Sequence, residues 1–125
     1  MRRYRGVLLD VDGTLVDSND AHAHAWQDAF AAHDLAIPYA RIRMLIGMGG
    51  DQLVEEVTGF PRGSADNRKL GELRSKLFAS RWRATVKPLV DARKLVLQLN
   101  TSHYLYAIAS SAKADELESL LAIAG

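Results

Sequence analysis

Two short apolar runs, each ending in polar residues, bracket a long stretch of helical periodicity. Gly6-Val7-Leu8-Leu9-Asp10 is continuous and apolar, ends in an acid and is followed by the turn sequence Asp12-Gly13-Thr14. That pattern predicts a buried parallel strand ending near Asp10. From Asn19 to about Ala32, Ala23, Trp26, Ala29 and Phe30 recur at helical spacing, with Ser18 or Asn19 as the cap. Pro38 opens a short helix carrying Ile42, Leu45 and Ile46, and Gly47-Met48-Gly49-Gly50 breaks it. Asp51 is expected to cap a third helix through Leu53, Val54 and Val57, ended by Gly59. A fourth helix follows Ser64, with Leu70, Leu73, Leu77, Phe78 and Trp82 as its stripe. After Pro88 the spacing predicts a helix from Asp91 to Asn100, with Leu95, Val96 and Leu99 inward. A second strand over Tyr104–Ala109 and a last helix from about Lys113 towards Ala124 complete the chain.

The order is therefore strand, helical block, helix, strand, helix. With the block set aside, a βαβα unit remains, which is the start of a doubly wound parallel sheet. The fold class expected is α/β: a partial Rossmann-like core made of residues 1–16 and 86–125, with an all-helical domain inserted at 17–85. A parallel pair of strands needs both faces and both edges covered, and two helices cannot do that. The expectation is that this is the front part of a longer protein.

Composition narrows the chemistry. Of 125 residues, 48% are apolar and 25% charged, proportions of a soluble globular domain, and the net charge of +1 gives no footprint for nucleic acid or an anionic membrane. Arg2, Arg3 and Arg5 form only a small terminal cluster. The absence of cysteine excludes disulfides, thiolate catalysis and cysteine-ligated zinc. With no signal-peptide pattern and no apolar run long enough to span a bilayer, a cytoplasmic location is expected. The sequence leaves the oligomeric state open.

Ligands of open α/β sheets gather at the carboxyl ends of the strands. The first strand delivers Asp10 and Asp12 there, and the second delivers Ser110 and Ser111. A carboxylate can attack phosphorus to give an acyl phosphate, and a second carboxyl can protonate the leaving oxygen and then activate water. Two such anions facing a phosphate call for a hard cation such as Mg²⁺. A calcium loop starting at Asp10 fails, because Leu15 stands where its glycine is required and Ala21 where its glutamate is. The bland alternative is a turn that merely ends a strand.

The segment Val7-Leu8-Leu9-Asp10-Val11-Asp12-Gly13-Thr14-Leu15-Val16-Asp17-Ser18 resembles the first signature motif of the haloacid dehalogenase-like hydrolases. More narrowly, it resembles the branch holding phosphoglycolate phosphatases, sugar-phosphate phosphatases and β-phosphoglucomutase. Ile108-Ala109-Ser110-Ser111 is similar to the second motif, and the helical block lies where that branch inserts its cap. The resemblance implies Asp10 as nucleophile and Mg²⁺ ligand, and Asp12 as general acid/base with its carbonyl on the metal. It implies a phosphoryl group held by Ser110 and by N–H groups near Gly13 and Ser111. His22 and Trp26 match a His-x-x-x-Trp pattern of the first cap helix, although His22, His24 and His33 also read as surface residues and Trp26 as core. Gly49 and Gly50 fall in a segment resembling the substrate-selecting cap loop. Gly50 replaces the arginine of the mutase, which favours a phosphatase. Lys113 is a candidate phosphate contact or an ordinary first-turn lysine.

The family also uses a later lysine and an acidic pair, for which no residue here is a candidate. The implied function is Mg²⁺-dependent hydrolysis of a small phosphorylated metabolite, weak or absent in this chain alone. The alternatives are a non-catalytic interaction module and a mutase-like phosphotransferase.

Overall fold

The computed structural model describes residue 3 and residues 5–125, so Arg2 of the basic cluster lies outside the described residues. The chain divides into two compact units, Met1–Ser18 with Val86–Gly125, and Asn19–Thr85.

In the first unit, β1 (Gly6–Leu9) pairs in parallel with β4 (Leu105–Ile108), in register from Gly6↔Leu105 to Leu9↔Ile108. The connection between them carries α5 (Ala92–Thr101), and α6 (Ala114–Ala124) follows β4. This is the α/β class with a parallel sheet. A second pairing was not visible in the residue pattern: β2 (Val16–Asp17) lies antiparallel to β3 (Lys87–Pro88), through Val16↔Pro88 and Asp17↔Lys87. Two-residue strands carry no periodicity, which is why sequence spacing passes over them. Leu9, Val11, Leu15, Val16, Val86, Ala92 and Leu120 are buried.

The expected burial of both strands is corrected. Leu8 and Leu105 are each 77% exposed, and Leu95, assigned inward on α5, is 44% exposed. The strands form only a pair, and that pair covers one face fewer than a sheet with helices on both sides.

The second unit is helical throughout: α1 (Asn19–Ala32), α2 (Tyr39–Leu45), α3 (Gly50–Thr58) and α4 (Ala65–Leu77). Its core joins Ala23, Trp26 and Phe30 of α1 to Ile42, Leu53, Val54 and Leu70. Helix α3 begins two residues earlier than expected. Gly49 is its cap, with its carbonyl accepting from Leu53 N–H at 2.9 Å, while Asp51 sits inside the first turn and accepts from Gln52 N–H. Gly59 ends it in the left-handed region at φ 80°, where a Cβ is unfavourable. Ser64 caps α4 by accepting from Asn67 N–H. The buried Asn67 amide then donates to the carbonyls of Asp51 (2.9 Å) and Phe60 (3.0 Å), tying down the α3–α4 connection.

The stripe that predicted one long fourth helix is interrupted. After Leu77 the backbone widens into a π turn, Phe78–Trp82, closed by Arg83 N–H on the Phe78 carbonyl, and a 3₁₀ turn, Arg83–Thr85, follows. The widened turn places Phe78 against the His22 ring and lets Trp82 Nε1 donate to Asp28 at 2.8 Å. Tertiary partners of this kind stabilise a local geometry that 3.6-residue periodicity cannot encode.

Candidate active site

The carboxyl end of the parallel pair is where the candidate chemistry collects. Ala109 N–H donates to the Leu9 carbonyl at 2.8 Å, continuing the ladder one step past Ile108. Asp10 and the Ala109–Ser110 segment therefore leave neighbouring strands at the same level, in a sheet whose strands run about 4.8 Å apart. The register alone brings the carboxylate and the hydroxyl to one edge.

Asp10 is exposed. Its Oδ1 accepts from Val11 N–H at 2.9 Å, which fixes the rotation of the carboxylate. Oδ2 has no partner among the described residues. Beyond it the chain winds tightly. The N–H groups of Thr14, Leu15 and Val16 converge on the Val11 carbonyl at 3.1, 2.8 and 3.2 Å, and Gly13 N–H donates to the Val16 carbonyl at 2.8 Å. Gly13 takes φ 73°, which suits a residue without Cβ. The Gly13 N–H is thus used inside the turn.

Asp12, half-buried in this turn, receives the Ser18 hydroxyl proton on Oδ1. Ser18 is fully buried. On the second strand, the Ser110 hydroxyl oxygen accepts from Ala112 N–H at 3.1 Å, leaving its own proton free to donate. Ser111 is exposed. Lys113 is exposed at the N-cap of α6, and its carbonyl accepts from Leu117 N–H.

The remaining candidates belong to the helical unit. His22 is not a surface residue: it is 8% exposed and its ring lies 4.4 Å from that of Phe78, nearly parallel at 7°. His24, half-buried, is stacked between Tyr39 (4.6 Å) and Trp82 (4.4 Å), while His33 is exposed. These stacks went unforeseen because they join α1 to residues far along the chain. Trp26 is core, 4% exposed, with the Arg74 guanidinium 5.3 Å from its ring. Gly49 and Gly50 are half-buried, and a Cβ on Gly50 would stand 2.9 Å from Trp26 Cζ2. Packing thus gives Gly50 a reason to be glycine that does not involve substrate.

One ion-paired cluster shifts its members' titration. Arg43 and Tyr39 both donate to Asp20 Oδ1, at 2.7 and 2.9 Å. The Arg43 hydrogen bond, then that from Tyr39, holds the Asp20 carboxyl below its ordinary range. Partial burial, then the bond to Asp20, raises the Tyr39 phenol.

As for a metal, the donors at the strand end are hard carboxylate oxygens, of the type Mg²⁺ takes one or two at a time beside water and phosphate. Among the described residues no three His, Asp or Glu side chains gather into a metal cluster. The two aspartates fit part of a Mg²⁺ shell, not a complete one. No helix among the described residues is long and apolar enough to cross a membrane.

The sequence profile described as haloacid dehalogenase-like hydrolase matches residues 7–125, and the chain belongs to that family. No curated protein matches it. Among solved structures it is similar to a hydrolase from Pseudomonas syringae, with 25% identity and a TM-score of 0.88 over 97% of this chain and 56% of that one. A predicted phosphatase from Clostridium acetobutylicum (18% identity, TM-score 0.85) matches over 95% of this chain and 55% of that one. CbbY from Rhodobacter sphaeroides, solved with phosphate (20% identity, TM-score 0.74), matches over 93% and 55%. The chain spans little more than half the length of these relatives.

Proposed function

We propose that this haloacid dehalogenase-like chain supplies the nucleophile and the acid/base of a Mg²⁺-dependent phosphatase for a small phosphorylated metabolite. The observation that supports the reading is the parallel register, continued by Ala109 N–H on the Leu9 carbonyl, which ends the two strands at one level with Asp10 after one and Ser110 soon after the other.

In this reading Asp10 Oδ2 attacks phosphorus, and the bond from phosphorus to the ester oxygen breaks. Asp12 gives its proton to that departing oxygen. Water then attacks the aspartyl phosphate and loses a proton to Asp12. The bond from phosphorus to Asp10 breaks, inorganic phosphate leaves, and both carboxyls return to their starting forms. Ser110 donates its free proton to a phosphoryl oxygen. Mg²⁺, held by the Asp10 carboxylate and the Asp12 carbonyl, would offset the repulsion between carboxylate and phosphate.

No residue of this chain is assigned here to the lysine and the acidic pair that the family resemblance implies. A unit charge pair near 4 Å is worth about 4 kcal/mol at an effective dielectric of 20. Little or no turnover is therefore expected from the 125 residues alone. Glycine at position 50 leaves the arginine of the mutase without a counterpart, which supports a phosphatase over the mutase-like alternative.

The test is a panel of phosphate monoesters with Mg²⁺, using the full chain in which this sequence occurs. Asp10→Asn is expected to reduce turnover at least ~10³-fold, as loss of a nucleophile does. Turnover that survives this substitution would sink the proposal.

A further inference from the structure

The helical unit carries a groove of about 440 Å³ beside the second half of α1, made of residues that the candidate chemistry above does not use. Helix α1 contributes Gln27, Asp28 and Ala31 to its lining, and the connection after α1 contributes Leu35-Ala36-Ile37-Pro38. Asp34, at φ 60°, turns the chain through the left-handed region, and Gln27 Nε2 donates to the Ile37 carbonyl at 3.5 Å. Leu35 N–H bonds to the Phe30 carbonyl at 2.9 Å, and Leu35 and Ile37 pack against the core. The groove is thus built into the fold of this unit, and its lining is apolar apart from Gln27 and Asp28.

Those two polar side chains are incompletely used. Both donors to Asp28, Trp82 Nε1 at 2.8 Å and Arg81 at 3.4 Å, bond to Oδ2. Oδ1 has no partner among the described residues, and neither has the Gln27 amide oxygen. The Arg81 side chain is 63% exposed, so its pairing is weak and readily exchanged. Grooves of this size, mostly apolar with a few placed polar groups, are where small ligands bind. Charge decides which ligand. A carboxylate and an amide oxygen are acceptors, so an anion is repelled, while a cation with N–H groups gains charge-assisted hydrogen bonds. We propose that the groove binds a small aliphatic ammonium ion, its charge on Asp28 and its carbon body against Leu35, Ile37 and Pro38. The proposal goes beyond the phosphatase reading and does not rest on it.

The Trp82 indole N–H shares the Asp28 carboxylate, so its ¹H–¹⁵N resonance reports what reaches that group. The full chain in which this sequence occurs is titrated with isobutylammonium chloride, and Trp82→Phe identifies the resonance by its loss. A saturable shift is expected, with a Kd of about 1–10 mM for so small a ligand. Isobutanol and ammonium chloride, which carry the body and the charge separately, should show no saturation in that range. Asp28→Asn keeps an acceptor for Trp82 and removes the charge. It should weaken binding about 5- to 10-fold, since a charge-assisted hydrogen bond is roughly twice as strong as a neutral one. Ala31→Leu fills the groove from an exposed position, leaves the bonds to Asp28 in place and should abolish the shift. Absence of a saturable shift in the wild type, equal affinity for either control compound, or a variant that binds as the wild type does would overturn the proposal.

Discussion

Two helical glycines of the same unit should respond to alanine with opposite signs. At Gly50, in the first turn of α3, an added Cβ meets Trp26 Cζ2 at 2.9 Å and Cη2 at 3.5 Å, where ordinary contacts begin at 3.4 Å. The indole has little room to retreat. It is 4% exposed, stacked on Phe30 with centroids 5.6 Å apart, and covered by Arg74. Overpacking a core in this way costs about 1–3 kcal/mol. Alanine recovers at most ~1 kcal/mol of helix propensity, and less in a first turn. The net for Gly50→Ala is a destabilisation of about 1–2 kcal/mol, the difference between those two effects. Gly71 lies in the interior of α4 with nothing within 4 Å of its added Cβ. There only the propensity remains, and Gly71→Ala should stabilise by about 0.5–1 kcal/mol. Both tryptophans of the chain, Trp26 and Trp82, lie in the helical unit, so urea unfolding followed by indole fluorescence reads that unit directly. A Gly50→Ala protein as stable as wild type, or two variants that move in the same direction, would refute the packing account of Gly50.

Two further expectations concern the same unit. Asn67→Ala removes both donors that serve the Asp51 and Phe60 carbonyls, from a side chain only 3% exposed, and should cost about 1–3 kcal/mol in the same urea assay, because two hydrogen bonds are lost. The Asp20 carboxyl has its folded-state pKa depressed by Arg43 and then Tyr39, so its contribution is present above the unfolded carboxylate range and disappears as pH falls through the folded value. Asp20→Asn should therefore flatten the acid limb of the thermal midpoint against pH. The change will be small, since the side chain is 69% exposed. An acid limb unchanged by the substitution would assign the acid sensitivity to other carboxylates.

Much of the candidate site could be read from the residues in order. Asp10 and Asp12 are two apart on a strand that an apolar run announces, and Ser110 follows a second such run. A ligand edge at strand ends is a general property of parallel α/β sheets, so local pattern and topology together suffice. The destination of each donor could not be read that way. Whether Gly13 N–H faces a ligand or the Val16 carbonyl depends on how tightly the turn winds. Whether Ser18 serves α1 or Asp12 depends on where β2 is held, and β2 is only two residues long. The same limit applies to Gly50: a glycine after Gly47-Met48-Gly49 looks like loop flexibility until the indole behind it is in place.

By itself, then, the order of residues determined the alternation of strand and helix, the parallel class of the sheet, the helical block and the position of Asp10 and Asp12 just after the first strand. Each of these follows from periodicities of two and 3.6 residues and from short-range turn chemistry, which act within a few positions of the chain. Tertiary structure alone decided the π turn at Phe78, the burial of His22 against it, the glycine requirement at Gly50 and the bond from Ser18 to Asp12. Those features arise where segments distant along the chain, or folded back by a tight turn, compete for the same space or the same hydrogen-bond donor. Close packing and the need to satisfy buried polar groups settle such competitions, and neither leaves a periodic trace in the sequence.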